Sequence, residues 1–185
     1  MKSVAVYLGS APGCKDLYKE LAFELGRRIA LAGITLVYGG AAVGTMGALA
    51  DGARTAGGHV VGVFPRGFRG TKEVRESGLE VVHHGLSDFI ETADFAERKQ
   101  VMEDLSDGCI VMPGSFGTLD ELFTYACNRA IDKHEKPILV FNFKGYYDPL
   151  RQLLANMQEA GFMKPIMAGA ITFCDTVDGI IDCLK

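Results

Sequence analysis

The stretch Cys109-Ile110-Val111-Met112-Pro113-Gly114-Ser115-Phe116-Gly117-Thr118-Leu119-Asp120-Glu121-Leu122 decides how this chain is read. Cys109–Met112 is continuously apolar, as in a strand buried on both faces of a parallel sheet. Small residues then turn the chain, and the pattern from Thr118 to Lys133 predicts a helix. A strand that turns directly into a helix presents free amide N–H groups and the positive end of the helix dipole, where phosphate is readily held. Gly114 and Gly117 let the backbone approach such a ligand. A second reading stays open here, because Thr118 and Glu121 also have the T-x-x-E spacing of a capping box with no catalytic duty.

Outward from this segment the same alternation runs along the chain. Val4–Leu8, Ile34–Val37, His59–Val63, Leu79–His83, Cys109–Met112, Ile138–Phe141 and Ala170–Phe173 are predicted strands. Cys14–Ala32, Gly44–Ala56, Asp88–Leu105, Thr118–Lys133, Tyr147–Ala160 and Thr176–Leu184 are predicted helices, with Gly33, Gly57-Gly58 and Gly161 as stop signals. The expectation is an α/β fold: one domain, residues 1–185, built as a Rossmann-like parallel sheet with helices on both faces. Ligands of such sheets bind beyond the carboxyl ends of the strands. Three glycine-rich loops fall at those ends: Gly9-Ser10-Ala11-Pro12-Gly13, Gly39-Gly40-Ala41-Ala42-Val43-Gly44-Thr45-Met46-Gly47, and Pro113–Thr118. Residues Pro65–Ser77 read as a charged loop.

The composition narrows the function classes. The 185 residues carry 19 Lys+Arg against 23 Asp+Glu, a formal charge of −4, so an anion site must be local rather than a broad basic surface for nucleic acid or anionic lipid. Cys14, Cys109, Cys127, Cys174 and Cys183 lack C-x-x-C spacing and read as reduced thiols in apolar element interiors. His59, His83, His84 and His134 form no zinc pattern, so no protein-held metal is expected. The first apolar run is too short for a signal or membrane segment, and the expected location is the cytoplasm.

Within the predicted helix 88–105, Asp94, Phe95, Val101, Met102 and Leu105 share a face by helical spacing, and Arg98 falls in the middle of it. An arginine there must find a carboxylate or an anionic ligand, or reach out to solvent. Lys99 points elsewhere and, taken alone, reads as a solvated lysine. The dinucleotide fingerprint G-x-G-x-x-G, the G-x-x-x-x-G-K-[ST] loop and G-x-S-x-G are all absent, which leaves nicotinamide oxidoreduction, ATP hydrolysis and serine hydrolysis without support.

Tyr38-Gly39-Gly40 with Val43-Gly44-Thr45-Met46-Gly47, then Glu97-Arg98-Lys99, then Pro113-Gly114-Ser115-Phe116-Gly117-Thr118-Leu119-Asp120-Glu121 resemble the LOG ("lonely guy") family, cytokinin riboside 5′-monophosphate phosphoribohydrolases often mislabelled lysine decarboxylases. The resemblance extends from Gly9-Ser10 to Lys136-Pro137 and Gly145-Tyr146-Tyr147-Asp148-Pro149-Leu150. The family signature P-G-G-x-G-T-x-x-E maps onto Pro113–Glu121 and its paired R-K onto Arg98 and Lys99. The resemblance implies hydrolysis of the N-glycosidic bond of a purine nucleoside 5′-monophosphate to free base and ribose 5-phosphate, with Arg98 and Glu121 as the catalytic pair and no cofactor. It also implies substrate contacts from Gly9, Ser10, Gly39, Gly40, Gly44, Thr45, Glu80, Lys99, Pro113, Gly114, Ser115, Phe116, Gly117, Thr118 and Asp120, and a homodimer.

Three departures from the family pattern bear on the site. Ser115 stands in place of the second signature glycine, which requires that position to avoid positive φ and to have room for a side chain. Asp94-Phe95-Ala96 replaces Asp-Met-His ahead of the R-K pair, and Cys127-Asn128-Arg129-Ala130 replaces T-W-x-Q, so the expected differences lie at the base end of the substrate. The competing reading is a non-catalytic nucleotide sensor or molybdenum-cofactor carrier on the same fold. A pyridoxal-phosphate lysine decarboxylase is disfavoured, because no recognisable cofactor lysine context is present.

Overall fold

The computed structural model of the chain describes residues 1–11, 13, 16–69, 81–164 and 169–185. Among the described residues seven parallel strands form one sheet: β1 (Ser3–Tyr7), β2 (Thr35–Tyr38), β3 (Val60–Pro65), β4 (Asp88–Thr92), β5 (Cys109–Val111), β6 (Ile138–Phe141) and β7 (Ile171–Cys174). Helices α1 (Leu17–Leu31), α2 (Gly44–Thr55), α3 (Phe95–Asp104), α4 (Phe116–Ala130), α5 (Asp148–Glu159) and α6 (Val177–Leu184) connect them, with a short 3-10 turn at Phe143–Gly145. No helix among the described residues is long and apolar enough to cross a membrane.

Strand order is β4-β3-β2-β1-β5-β6-β7, so the chain builds outward from β1 in one direction and then returns to build in the other. The reversal lies between β1 and β5, paired in parallel from Ala5↔Cys109 to Tyr7↔Val111. At such a switch point the connections leave on opposite sides and open a crevice beyond the strand ends. Strand alternation supplies both layers of core. Val4, Val6 and Leu8 pack with Ala22, Leu25 and Ile29 of α1, Leu49 and Ala53 of α2, and Ile180 and Leu184 of α6. Ala5 and Tyr7 point the other way, into a layer with Met102 of α3, Leu122 and Tyr125 of α4, and Leu150 and Leu154 of α5.

Three sequence expectations change. The helix predicted over 88–105 divides into edge strand β4 and helix α3, the latter capped by the Asp94 carboxylate, which accepts from the Ala96 and Glu97 amides at 2.8 and 2.9 Å. Asp88 and Glu91 are exposed on this outermost strand, where polar residues are tolerated and the continuous apolar run of an inner strand is missing. Leu79 and Glu80 lie outside the described residues; of the strand predicted over 79–83, Val82 makes an isolated antiparallel bridge to Ala41. The cysteines divide as well: Cys109 and Cys174 are buried, Cys127 and Cys183 are exposed, and Cys14 lies outside the described residues.

Helices α1 and α2 meet backbone to backbone. A Cβ on Gly52 would lie 1.9 Å from the Phe23 carbonyl oxygen, and one on Gly26 2.0 Å from that of Leu49. Backbone cannot yield as a side chain can, so Gly52→Ala is expected to cost about 1–3 kcal/mol of stability, read as a lower denaturation midpoint in urea.

Far from the strand carboxyl ends, Glu103 at the end of α3 is buried and accepts from Asn128 Nδ2 at 2.7 Å and Lys133 Nζ at 2.9 Å, with His134 Nε2 at 3.6 Å. Burial by itself would raise its pKa. The Asn128 and Lys133 hydrogen bonds and the charges of Lys133 and His134 outweigh burial and hold the carboxyl below its ordinary 4.5. A folded-state pKa below the unfolded one gives stability that is present above pH 4.5 and is lost as pH falls through the folded value. Glu103→Gln is therefore expected to flatten the acid side of the stability-pH curve, in urea titrations from pH 7 down to pH 3, relative to the parent chain.

Candidate active site

A cleft of about 410 Å³ opens beyond the β1–β5 switch point, within the size range of small-molecule sites. Its lining comes from all three glycine-rich loops, from α3 and from the first turns of α4. Of the residues singled out in the sequence, Gly9, Ser10, Gly39, Arg98, Lys99, Ser115, Gly117, Thr118, Asp120 and Glu121 face it. Gly40, Gly44, Thr45, Pro113, Gly114 and Phe116 stand outside the lining, and Glu80 lies outside the described residues.

Arg98 and Glu121 meet at the cleft wall. Arg98 Nη1 donates to Glu121 Oε1 at 2.7 Å and its Nε donates to the Val63 carbonyl at 3.0 Å, while both residues are only 8% exposed. The arginine therefore finds a carboxylate and does not reach out to bulk solvent. Its helix face differs from the expected apolar stripe: Arg98, Met102 and Glu103 are buried, while Phe95 and Leu105 are exposed. Burial raises the Glu121 pKa above its ordinary 4.5, with the charge and hydrogen bond of Arg98 opposing and Asp120 adding to the rise. Beside this pair, Lys99 is no free surface lysine: its Nζ donates to Asp120 at 2.8 and 2.9 Å and to Thr124 Oγ1 at 3.0 Å. Two cross-helix ion pairs thus tie α3 to the start of α4.

The capping-box reading of Thr118 and Glu121 does not hold. Helix α4 begins at Phe116 with Ser115 as its N-cap, which places Thr118 inside the first turn and Glu121 a full turn deeper, against Arg98. Ser115 has φ −109°, so replacing the family glycine by serine introduces no backbone strain. Gly117 has ordinary φ, and a Cβ there would meet nothing within 4 Å. The fold itself does not demand glycine at 117, which faces open cleft. Gly114 is demanded, since its Cβ would lie 2.1 Å from Thr118 Oγ1 and 2.9 Å from the Gly9 amide nitrogen.

The second loop is held close under the first. The Thr45 hydroxyl donates to the Gly9 carbonyl, and Gly44, at φ +59°, passes so near Ser10 that a Cβ would sit 2.0 Å from its carbonyl oxygen. Thr45 and Gly44 therefore shape the crevice from behind. On the remaining wall Phe64 and Phe68, which no motif signalled, stand beside Phe95 from the segment ahead of the R-K pair, with ring centroids 5.9 Å apart for Phe64–Phe68 and 5.1 Å for Phe68–Phe95. Phe68 sits in the charged loop and Phe64 in β3, and only tertiary packing brings them beside Phe95 and Arg98. Among the described residues no cluster of three or more metal-ligating side chains occurs.

Comparison with known proteins matches this arrangement to a family. The family model described as "Possible lysine decarboxylase" matches residues 46–184. A cytokinin riboside 5′-monophosphate phosphoribohydrolase of Rhodococcoides fascians is 36% identical over 184 residues, covering 100% of this chain and 89% of the relative. The protein of that name from Mycobacterium tuberculosis is 39% identical over 183 residues, covering 99% and 91%. Among solved structures, the protein TM1055 superposes with a TM-score of 0.75 at 25% identity, covering 100% and 98%. The molybdenum cofactor carrier protein of Chlamydomonas reinhardtii superposes at 0.70 with 20% identity, covering 99% and 95%, a likeness of fold alone. With relatives of this identity along its whole length and the signature Pro113–Glu121 at the mouth of its cleft, the chain belongs to the LOG family of cytokinin riboside 5′-monophosphate phosphoribohydrolases.

Proposed function

We propose that the chain hydrolyses the N-glycosidic bond of purine nucleoside 5′-monophosphates, releasing the base and ribose 5-phosphate. The observation that carries this reading is the buried Arg98–Glu121 pair, held at 2.7 Å beside the free N-terminal turn of α4. The 5′-phosphate lies against the amides of residues 115–118, where the helix dipole favours an anion. Gly117 leaves the clearance for its approach. Cleavage moves the C1′–N bonding electrons into the base and builds positive charge on the ribose. The Glu121 carboxylate stabilises that charge and orients the water whose oxygen bonds to C1′; one proton of the water ends on the departing base. Arg98 opposes the rise that burial imposes on the Glu121 pKa and holds the carboxyl in place.

The base stacks toward Phe68 and Phe95, half-exposed rings on the cleft wall. Phe95 occupies the position where the family carries methionine, which supports adenine nucleotides in general, AMP included, as substrates beside isopentenyladenosine 5′-monophosphate. The protein works as a homodimer in the cytoplasm: Phe116 and Ile131, at the two ends of α4, are 90% and 73% exposed, apolar surface suited to a second copy of the chain. Light scattering on the eluting protein should give twice the chain mass; a monomer at assay concentration would sink the dimer. The catalytic reading is tested by incubating the protein with AMP and with isopentenyladenosine 5′-monophosphate and following free base and ribose 5-phosphate by chromatography. Nucleotide binding without release of base would replace it by the sensor reading.

A further inference from the structure

The three carbonyl groups at the start of the signature loop are each held by a donor from elsewhere in the fold. Met112 O accepts from the Tyr147 hydroxyl at 2.7 Å, Pro113 O from the Gly9 amide at 3.3 Å, and Gly114 O from the Tyr146 hydroxyl at 2.8 Å. The first two donors are buried or backbone. Tyr146 is different: it is 43% exposed, stands outside the cleft, and is kept in place by ring contacts to Tyr18 and Tyr147 at 6.4 and 4.9 Å.

A planar trans peptide points its N–H opposite to its C=O. Fixing the Gly114 carbonyl toward Tyr146 therefore fixes the Ser115 N–H away from Tyr146, and Ser115 is a cleft-lining residue while Tyr146 is not. Glycine at 114 leaves this peptide free to rotate unless something holds it. We propose that Tyr146 is a positioning residue for the anion subsite: its hydroxyl, through the Gly114 carbonyl, aims the Ser115 amide at the 5′-phosphate. The proposal rests on the phosphate placement given above and names a residue that never touches substrate.

Tyr146→Phe keeps the ring and its contacts and removes only the hydroxyl. Titration calorimetry with AMP, inorganic phosphate and adenosine is the test, with kcat and KM for AMP measured alongside. Affinity for AMP and for inorganic phosphate should fall roughly three- to tenfold, as for loss of one hydrogen bond, with adenosine binding and the melting temperature unchanged. In turnover the effect falls on KM and leaves kcat nearly constant. Equal phosphate and AMP affinities in the two proteins overturn the proposal, and so does an equal loss for adenosine, which would mean general disorder of the loop. If the parent protein binds AMP but releases no adenine, the hydrolase reading falls while the phosphate titrations still decide the role of Tyr146. A parent protein that binds neither AMP nor phosphate overturns both.

Discussion

Glu121→Gln should abolish practical turnover, lowering kcat/KM by about 10³-fold, the middle of the range for loss of a charged group acting at the reacting centre. The side chain is nearly isosteric and its amide oxygen still accepts from Arg98, so the cleft keeps its shape and nucleotide binding should survive. The negative charge facing the ribose is what disappears. Arg98→Ala removes the partner instead, leaving an unpaired buried carboxyl whose pKa rises further, since the charge that now opposes burial is gone. In the parent enzyme kcat/KM should climb with pH through an ionisation above 4.5, because burial raises Glu121 and the ionised form is the active one. Glu121→Gln retaining activity within about threefold of the parent would remove Glu121 from the chemistry and with it the mechanism.

Gly39→Ala should cost about 10²-fold in kcat/KM with little change in melting temperature. A Cβ at position 39 would lie 1.9 Å from Arg98 Nη2 and 2.4 Å from Met46 Cε. Both are ends of flexible side chains, so the fold accommodates the methyl group by moving them. The movement falls on the guanidinium, and an ångström of displacement separates it from Glu121, a loss out of proportion to the size of the change. Gly52→Ala is the contrast, since there the obstacle is backbone and stability absorbs the clash. Full activity in Gly39→Ala would show that the register of Arg98 against Glu121 is not what turnover depends on.

The inner strands, the helices that follow them and the three glycine loops were legible from the sequence, because a strand buried on both faces is apolar throughout and a loop feeding a helix needs small residues. Edge strand β4 was not legible: Asp88 and Glu91 face solvent and imitate a helix turn, and only pairing with β3 makes them a strand. The capping and catalytic readings of Thr118 and Glu121 were equal on spacing, until the helix start at Phe116 separated them.

By itself the sequence determined the α/β class and the residue types that the loops bring to the cleft, since apolar periodicity and loop composition are local properties of the chain. Tertiary structure alone decided that Arg98 pairs with Glu121, that Lys99 pairs with Asp120, that Phe64, Phe68 and Phe95 share a wall, and that Tyr146 holds the signature loop. Each of these joins residues from different elements of the fold. Their meeting depends on strand order, which reverses between β1 and β5 and leaves no trace in the spacing of residues along the chain.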